Sequence, residues 1–232
     1  WNLGAQHMYG YHAKEVLGKE SDEILQTSMP DTEIKKVRRL IESTKHWTGE
    51  LKRKTKNGKD IYVRSSISSI MDAQGKISGF VAVNFDVTEQ KKLQEQVNHY
   101  ANIVEQSSEA IISRDINQQF ISWNKGAEKL FGFTKEEAIG KTAASLGIAK
   151  LSDAEKASLE NALEKNGCWE SEREHFHKNG SSFQGSVTAN VIKDENGKTN
   201  STVFIVKDIT ERKQLENQLK KLNEELEEKI KQ

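Results

Sequence analysis

Few side chains in this sequence stand at spacings that could carry chemistry. His175 and His177 are two apart in a stretch with strand pattern, so both rings point to one face and could share a metal ion. A solvated face beside Lys178 is the plainer expectation. His46 stands alone and reads as a surface histidine. Cys168 is the single cysteine, so neither a disulfide nor a paired-thiolate zinc site can form. There is no glycine-rich phosphate loop and no HExxH helix. No catalytic residue, metal ligand or cofactor is therefore assigned. The chain reads as non-enzymatic, and the identity of any small-molecule ligand is left open.

The elements that would position these residues are clearest between positions 110 and 209. Ala110–Arg114 and Gln119–Trp123 flank a polar turn and predict a hairpin. Asn124 suits the cap of a helix over Lys125–Leu130. Thr134-Lys135-Glu136-Glu137 is a capping box for a short helix that ends by Gly140. Ser152-Asp153-Ala154-Glu155 opens a longer helix to about Lys165. Ile148 and Leu151 precede that helix and could line or fill a pocket beneath it. Three strands follow, over 169–177, 181–193 and 199–209. A Lys178-Asn179-Gly180 hairpin signal and an Asp194–Gly197 turn separate them. Trp169 begins the first of the three and is expected to pack against the sheet, as is Trp47. The order β-β-α-α-α-β-β-β predicts an α+β fold: an antiparallel sheet with helices on one face.

That unit occurs twice. WNLGAQHMYGY at positions 1–11 matches WNKGAEKLFGF at 123–133, and the offset of 122 holds without a gap to the end of the chain. Lys56-Asn57-Gly58 meets Lys178-Asn179-Gly180, and Asp86-Val87-Thr88-Glu89 meets Asp208-Ile209-Thr210-Glu211. Roughly a quarter of the paired positions are identical. The first copy has no counterpart of Ala110–Ser122, so it lacks the first two strands and should present an exposed edge strand over Ile77–Val87. The segments are a first module over 1–88, a linking helix over 89–107, a second module over 108–209 and a C-terminal helix over 210–232.

That last helix carries Leu215, Leu219, Leu222 and Leu226 at spacings of 4, 3 and 4 among charged residues. This is a coiled-coil seam, and it predicts a homodimer. Leu93, Val97, Tyr100 and Val104 repeat it in the linking helix. Asp86 and Thr88, like Asp208 and Thr210, fit strand-to-helix junctions where a side-chain oxygen caps free N–H groups. Lys plus Arg equals Asp plus Glu at 35 each, which removes the charge argument for nucleic acid. No run of about 18 apolar residues exists to cross a membrane. A cytoplasmic location is expected, with membrane attachment of a parent protein left open. The chain opens on Trp1 rather than Met and reads as a piece of a longer protein.

Taken together, the WNxGA segment, the Lys-Asn-Gly hairpin, the Asp194–Lys198 turn and the closing D-[IV]-T-E-[RQ]-K-x-L, each present twice, resemble tandem PAS domains. The resemblance implies a five-stranded sheet of order 2-1-5-4-3 whose helices enclose a ligand site. It also implies that Asp86, Thr88, Asp208 and Thr210 couple the last strand to the outgoing helix. Photosensory relatives place a flavin-reactive Cys in a short helix before the long one, but the Gly140–Gly147 segment has none and Cys168 lies elsewhere. Haem-binding relatives use a His near the long helix, and residues 134–166 contain none. The Leu222–Lys229 tail resembles the linker into the core of bacterial sensor histidine kinases. The expected function is the sensory input region of such a kinase. The alternatives are a ligand-free dimerisation spacer and the input region of a cyclic-dinucleotide enzyme.

Overall fold

The computed structural model describes residues 1–230. It divides into two compact units at Asn98/His99. Unit 1 opens with helices α1 (Leu3–Tyr9), α2 (Ala13–Val16), α3 (Ser21–Leu25) and α4 (Asp31–Thr44). Strands β1 (His46–Lys54), β2 (Asp60–Met71) and β3 (Ile77–Asp86) follow, then helix α5 (Thr88–Gln106). Unit 2 repeats the plan behind an added hairpin, β4 (Ala110–Asp115) and β5 (Phe120–Trp123). Its helices are α6 (Lys125–Phe131), α7 (Lys135–Ala138), α8 (Ala143–Leu146) and α9 (Asp153–Asn166). Strands β6 (Cys168–Phe176), β7 (Ser182–Lys193) and β8 (Thr199–Asp208) complete the sheet, and α10 (Thr210–Ile230) leaves it. Positions 231–232 of the predicted C-terminal helix lie outside the described residues.

The fold is α+β, with two antiparallel sheets. Unit 2 has five strands in the order β5-β4-β8-β7-β6, and unit 1 has three in the order β1-β2-β3. One helix was not anticipated from sequence. Four helices, not three, separate β5 from β6, because Thr142 and Ser145 form a capping box that starts α8. A Thr-x-x-Ser box is a weaker signal than the Thr/Ser-x-x-Glu boxes of α7 and α9.

Asn124 closes the top of unit 2. It is 2% exposed. Its Oδ1 accepts from the Ala127 and Ile111 amides at 2.9 Å each. Its Nδ2 donates to the Val104 and Glu109 carbonyls at 2.9 and 3.0 Å. One side chain thus joins the end of α5, the start of β4 and the first turn of α6. Gly126 lets these backbones meet, since a Cβ there would stand 2.1 Å from the Glu109 carbonyl oxygen. In unit 1 the corresponding Asn2 is exposed and only caps α1, accepting from Ala5 N at 2.9 Å.

The core of unit 2 joins Phe120, Trp123, Phe131, Phe183 and Phe204 with the aliphatic residues around them. The smaller core of unit 1 is Tyr9, Leu25, Ile61 and Val63. The difference shows on the last strand. In unit 2, β8 lies between β4 and β7, with Phe204 and Val206 buried. In unit 1, β3 is an edge strand, and Phe80, Val81, Val83 and Phe85 are all exposed.

Two outcomes are expected. Asn124→Ala strands several buried backbone groups and should lower the stability of unit 2 by about 3 kcal/mol in urea titrations. Amide exchange in β3 should be at least about tenfold faster than in β8, since only one side of β3 is paired. Equal protection of the two strands in a monomeric sample would contradict this.

Candidate functional site

In unit 2 a cavity lies between the sheet and the helices. Its apolar walls come from Ile112, Phe120, Phe131, Ile148, Leu151, Leu159, Val187, Phe204 and Val206. Its volume is about 50 Å³ measured at the centre of a water molecule. That admits roughly three to five waters, or a small organic group. Ile148 and Leu151, singled out in sequence as pocket candidates, both line it.

Three ionisable side chains enter this apolar room: Arg114, Arg173 and His175. Their burial follows from strand parity. Trp169, Arg173 and His175 are all odd positions on β6, and β6 pairs with β7 without a bulge, so all three share the inner face. The expected solvated face for His175 is therefore wrong: it is 5% exposed. Its ring stacks on Phe183 and meets Phe131 edge-on. Gly185, on β7, makes room, because a Cβ there would fall 2.5 Å from His175 Cδ2. His177 is half-buried, its Nδ1 2.5 Å from the Leu130 carbonyl, and groups of three or more His, Cys, Asp or Glu that could hold a metal are absent among the described residues.

His175 Nδ1 lies 3.2 Å from the Ile148 carbonyl. A carbonyl only accepts, so Nδ1 carries the proton and Nε2 is an acceptor. Burial lowers the His175 pKa to about 4, so the ring is neutral at neutral pH. The two arginines rest on aromatic faces instead of carboxylates. Arg114 Cζ is 4.0 Å from the Phe204 ring centre, and Arg173 Cζ is 4.7 Å from that of Trp169. Burial, then the charge of Arg173, lowers Arg114 to about 10. Trp169 is thus half-buried as expected, with a guanidinium over its face.

The junction residues sit where the sequence places them. Asp208 Oδ1 accepts from Thr210 N at 2.8 Å, and Thr210 Oγ1 accepts from Gln184 N of β7 at 3.0 Å. In unit 1, Asp86 accepts from Thr88 N at 2.9 Å and Thr88 Oγ1 from Tyr62 N at 2.9 Å. Sequence reading missed a second tie. Lys213 Nζ lies 2.5 Å from Glu172 Oε2, and Arg212 bonds the same carboxylate. Lys91 and Glu50 pair at 2.5 Å in unit 1. The cations hold Glu172 and Glu50 below the usual carboxylate range, Lys213 and Lys91 foremost. The 122-residue offset matches Glu50 with Glu172 and Lys91 with Lys213, which was the available signal. Leu215, Leu219, Leu222 and Leu226 are all exposed on α10, as are Leu93, Val97, Tyr100 and Val104 on α5. Cys168 and His46 are exposed at strand starts, away from the cavity lining.

A model of the PAS domain matches residues 1–89 and 108–211. The chain belongs to the PAS family. It is also similar to the oxygen sensor protein DosP of Escherichia coli strain K12, at 22% identity over 220 residues. That match covers 93% of this chain and 27% of the relative, so the chain spans about a quarter of that protein's length. Among solved structures, a PAS domain from Colwellia psychrerythraea is 29% identical, covering 50% of this chain and 98% of that one with a TM-score of 0.46. An RNA-binding light-oxygen-voltage receptor is 11% identical, covering 94% of each chain with a TM-score of 0.48.

Because His175 is held neutral, the unfolded chain protonates first as pH falls. Its contribution to stability is complete above about pH 6.5 and declines between there and about 4, by about 3 kcal/mol at most. Chemical denaturation of the wild type and His175→Gln across that range should show the wild type losing stability faster. Parallel curves would mean the ring titrates normally.

Proposed function

We propose that these two PAS modules are the sensory and relay region of a bacterial sensor histidine kinase, non-catalytic in themselves and working as a cytoplasmic homodimer. The observation that carries the reading is the closeness of the cavity to the junction. Arg173 lines the cavity, and its neighbour Glu172 holds Lys213 of α10. Val206 lines it too, two residues before Asp208. Phe183 and Gly185 flank Gln184, whose amide bonds Thr210. A change in packing inside the module therefore reaches the first turn of α10 within one or two residues on three strands.

Two-state packing of this kind is how a small event at a site becomes a helix movement. The exposed Leu215-to-Leu226 seam, flanked by charge, fits a parallel pairing with a second copy. The histidine-kinase output rests on the likeness of the Leu222–Lys229 tail to kinase linkers. The spacer reading gains support in the first module alone. There Arg53 replaces His175 at the repeat offset and bonds Tyr9 Oη at 2.9 Å and Asn84 at 3.3 Å, so its interior is cross-tied. The second module is the sensor in this scheme and the first a relay.

Thr210→Ala removes the acceptor for Gln184 N–H and should cost about 1 kcal/mol. In the full-length protein, autophosphorylation of this variant should cease to follow the signal. A response as large as wild type, in both Thr210→Ala and Asp208→Ala, would sink the relay scheme.

A further inference from the structure

Arg173 Nε and Nη2 are buried and meet no hydrogen-bond partner among the described residues. Those two nitrogens form the side edge of a guanidinium, the fork that matches the two oxygens of a carboxylate. The Arg114 guanidinium is close enough for the two positive charges to oppose each other. No Asp or Glu is among the residues lining the cavity. Glu155 attracts Arg173 from outside the lining, and its Oε2 accepts from Ser152 N and Oγ. Two like charges in an apolar room are costly unless an anion joins them.

Unit 1 shows the same scaffold with its cation tied from within through Nη1, although Arg53 Nε is also buried without a partner among the described residues. Tyr9, Arg53 and Asn84 occupy the positions of Phe131, His175 and Val206. In unit 2 the counterparts of both hydrogen-bonding partners are apolar, and the charge has moved to Arg173, where unit 1 has Leu51. In unit 2 two adjacent nitrogens, a whole guanidinium edge, stand without a partner among the described residues, against one in unit 1.

We propose that this cavity binds a short-chain carboxylate. The Nε–Nη2 edge of Arg173 grips the anionic head in bidentate fashion, and Arg114 adds the second positive charge. The apolar walls take a short tail, and the volume admits a ligand of only a few heavy atoms. His175 lines the same cavity, with its Nδ1 held by the Ile148 carbonyl and its Nε2 buried without a partner among the described residues. The inference rests on the reading of unit 2 as the sensing module.

The test is calorimetry on the whole 232-residue chain in a carboxylate-free buffer, with acetate, propionate, butyrate and propionamide as probes. At least one acid should bind, and propionate should bind at least about tenfold more tightly than the isosteric amide. Arg173→Gln should lose about tenfold or more in affinity. Arg173→Lys, which keeps the charge and loses the fork, should lose nearly as much. Equal binding of acid and amide would overturn the assignment, as would no binding by any acid; neither outcome depends on a variant folding. Amide exchange over Thr210–Leu219, with and without propionate, separates this idea from the relay. Carboxylate binding without a change in exchange leaves the site standing and removes the sensory role. A change caused by a neutral ligand, with no carboxylate bound, does the reverse.

Discussion

The register of β6 on β7, and of β7 on β8, fixes almost everything else in the second module. Side chains on a strand alternate between faces, so a single register decides a whole set at once. With Arg173 opposite Gly185 and His175 opposite Phe183, the odd residues of β6 are committed to the interior. The even residue Glu172 is committed to the outside, where Lys213 and Arg212 reach it. Gly185 opposite Asp208 brings Gln184 within reach of Thr210. A slip of one residue would carry the guanidinium into solvent and the clamp carboxylate into the cavity. Ligand chemistry and helix attachment are two faces of one alignment.

Polar groups tie this alignment to the rest of the module. Asn124 satisfies four backbone partners from three segments, so the helix layer is fixed to the sheet at one end by a single buried amide. Asp208 and Thr210 do the corresponding work for the outgoing helix, at the same end of the sheet, since the start of β4 lies beside the end of β8. Away from that end, α7 and α8 are single turns. The polar ties thus gather at the end of the sheet from which the outgoing helix leaves.

Much of this was legible in the sequence. The repeat, the hairpins marked by Asn-Gly, the capping boxes at Thr134 and Ser152, and the Asp-x-Thr junctions are local patterns with local causes, and they appear where the sequence puts them. What was not legible depends on neighbours brought together by folding. His175 beside Lys178 looks solvated in one dimension, yet its parity with Trp169 was the cue to its burial. Arg173 drew no notice, because a lone Arg on a strand is ordinary until the opposite residue proves to be Gly185 and the space beyond it apolar. The Glu172–Lys213 tie joins positions that periodicity alone does not relate.

The clamp recurs with the same residue types in both halves: Glu50 with Lys91, Glu172 with Lys213, each beside an Asp-x-Thr cap. The interiors, by contrast, have diverged at nearly every polar position. The duplicated module thus keeps its attachment to the helix while its interior is rewritten. The interior can therefore change from copy to copy while the attachment of the helix stays the same, which makes that boundary a natural place for a protein engineer to splice.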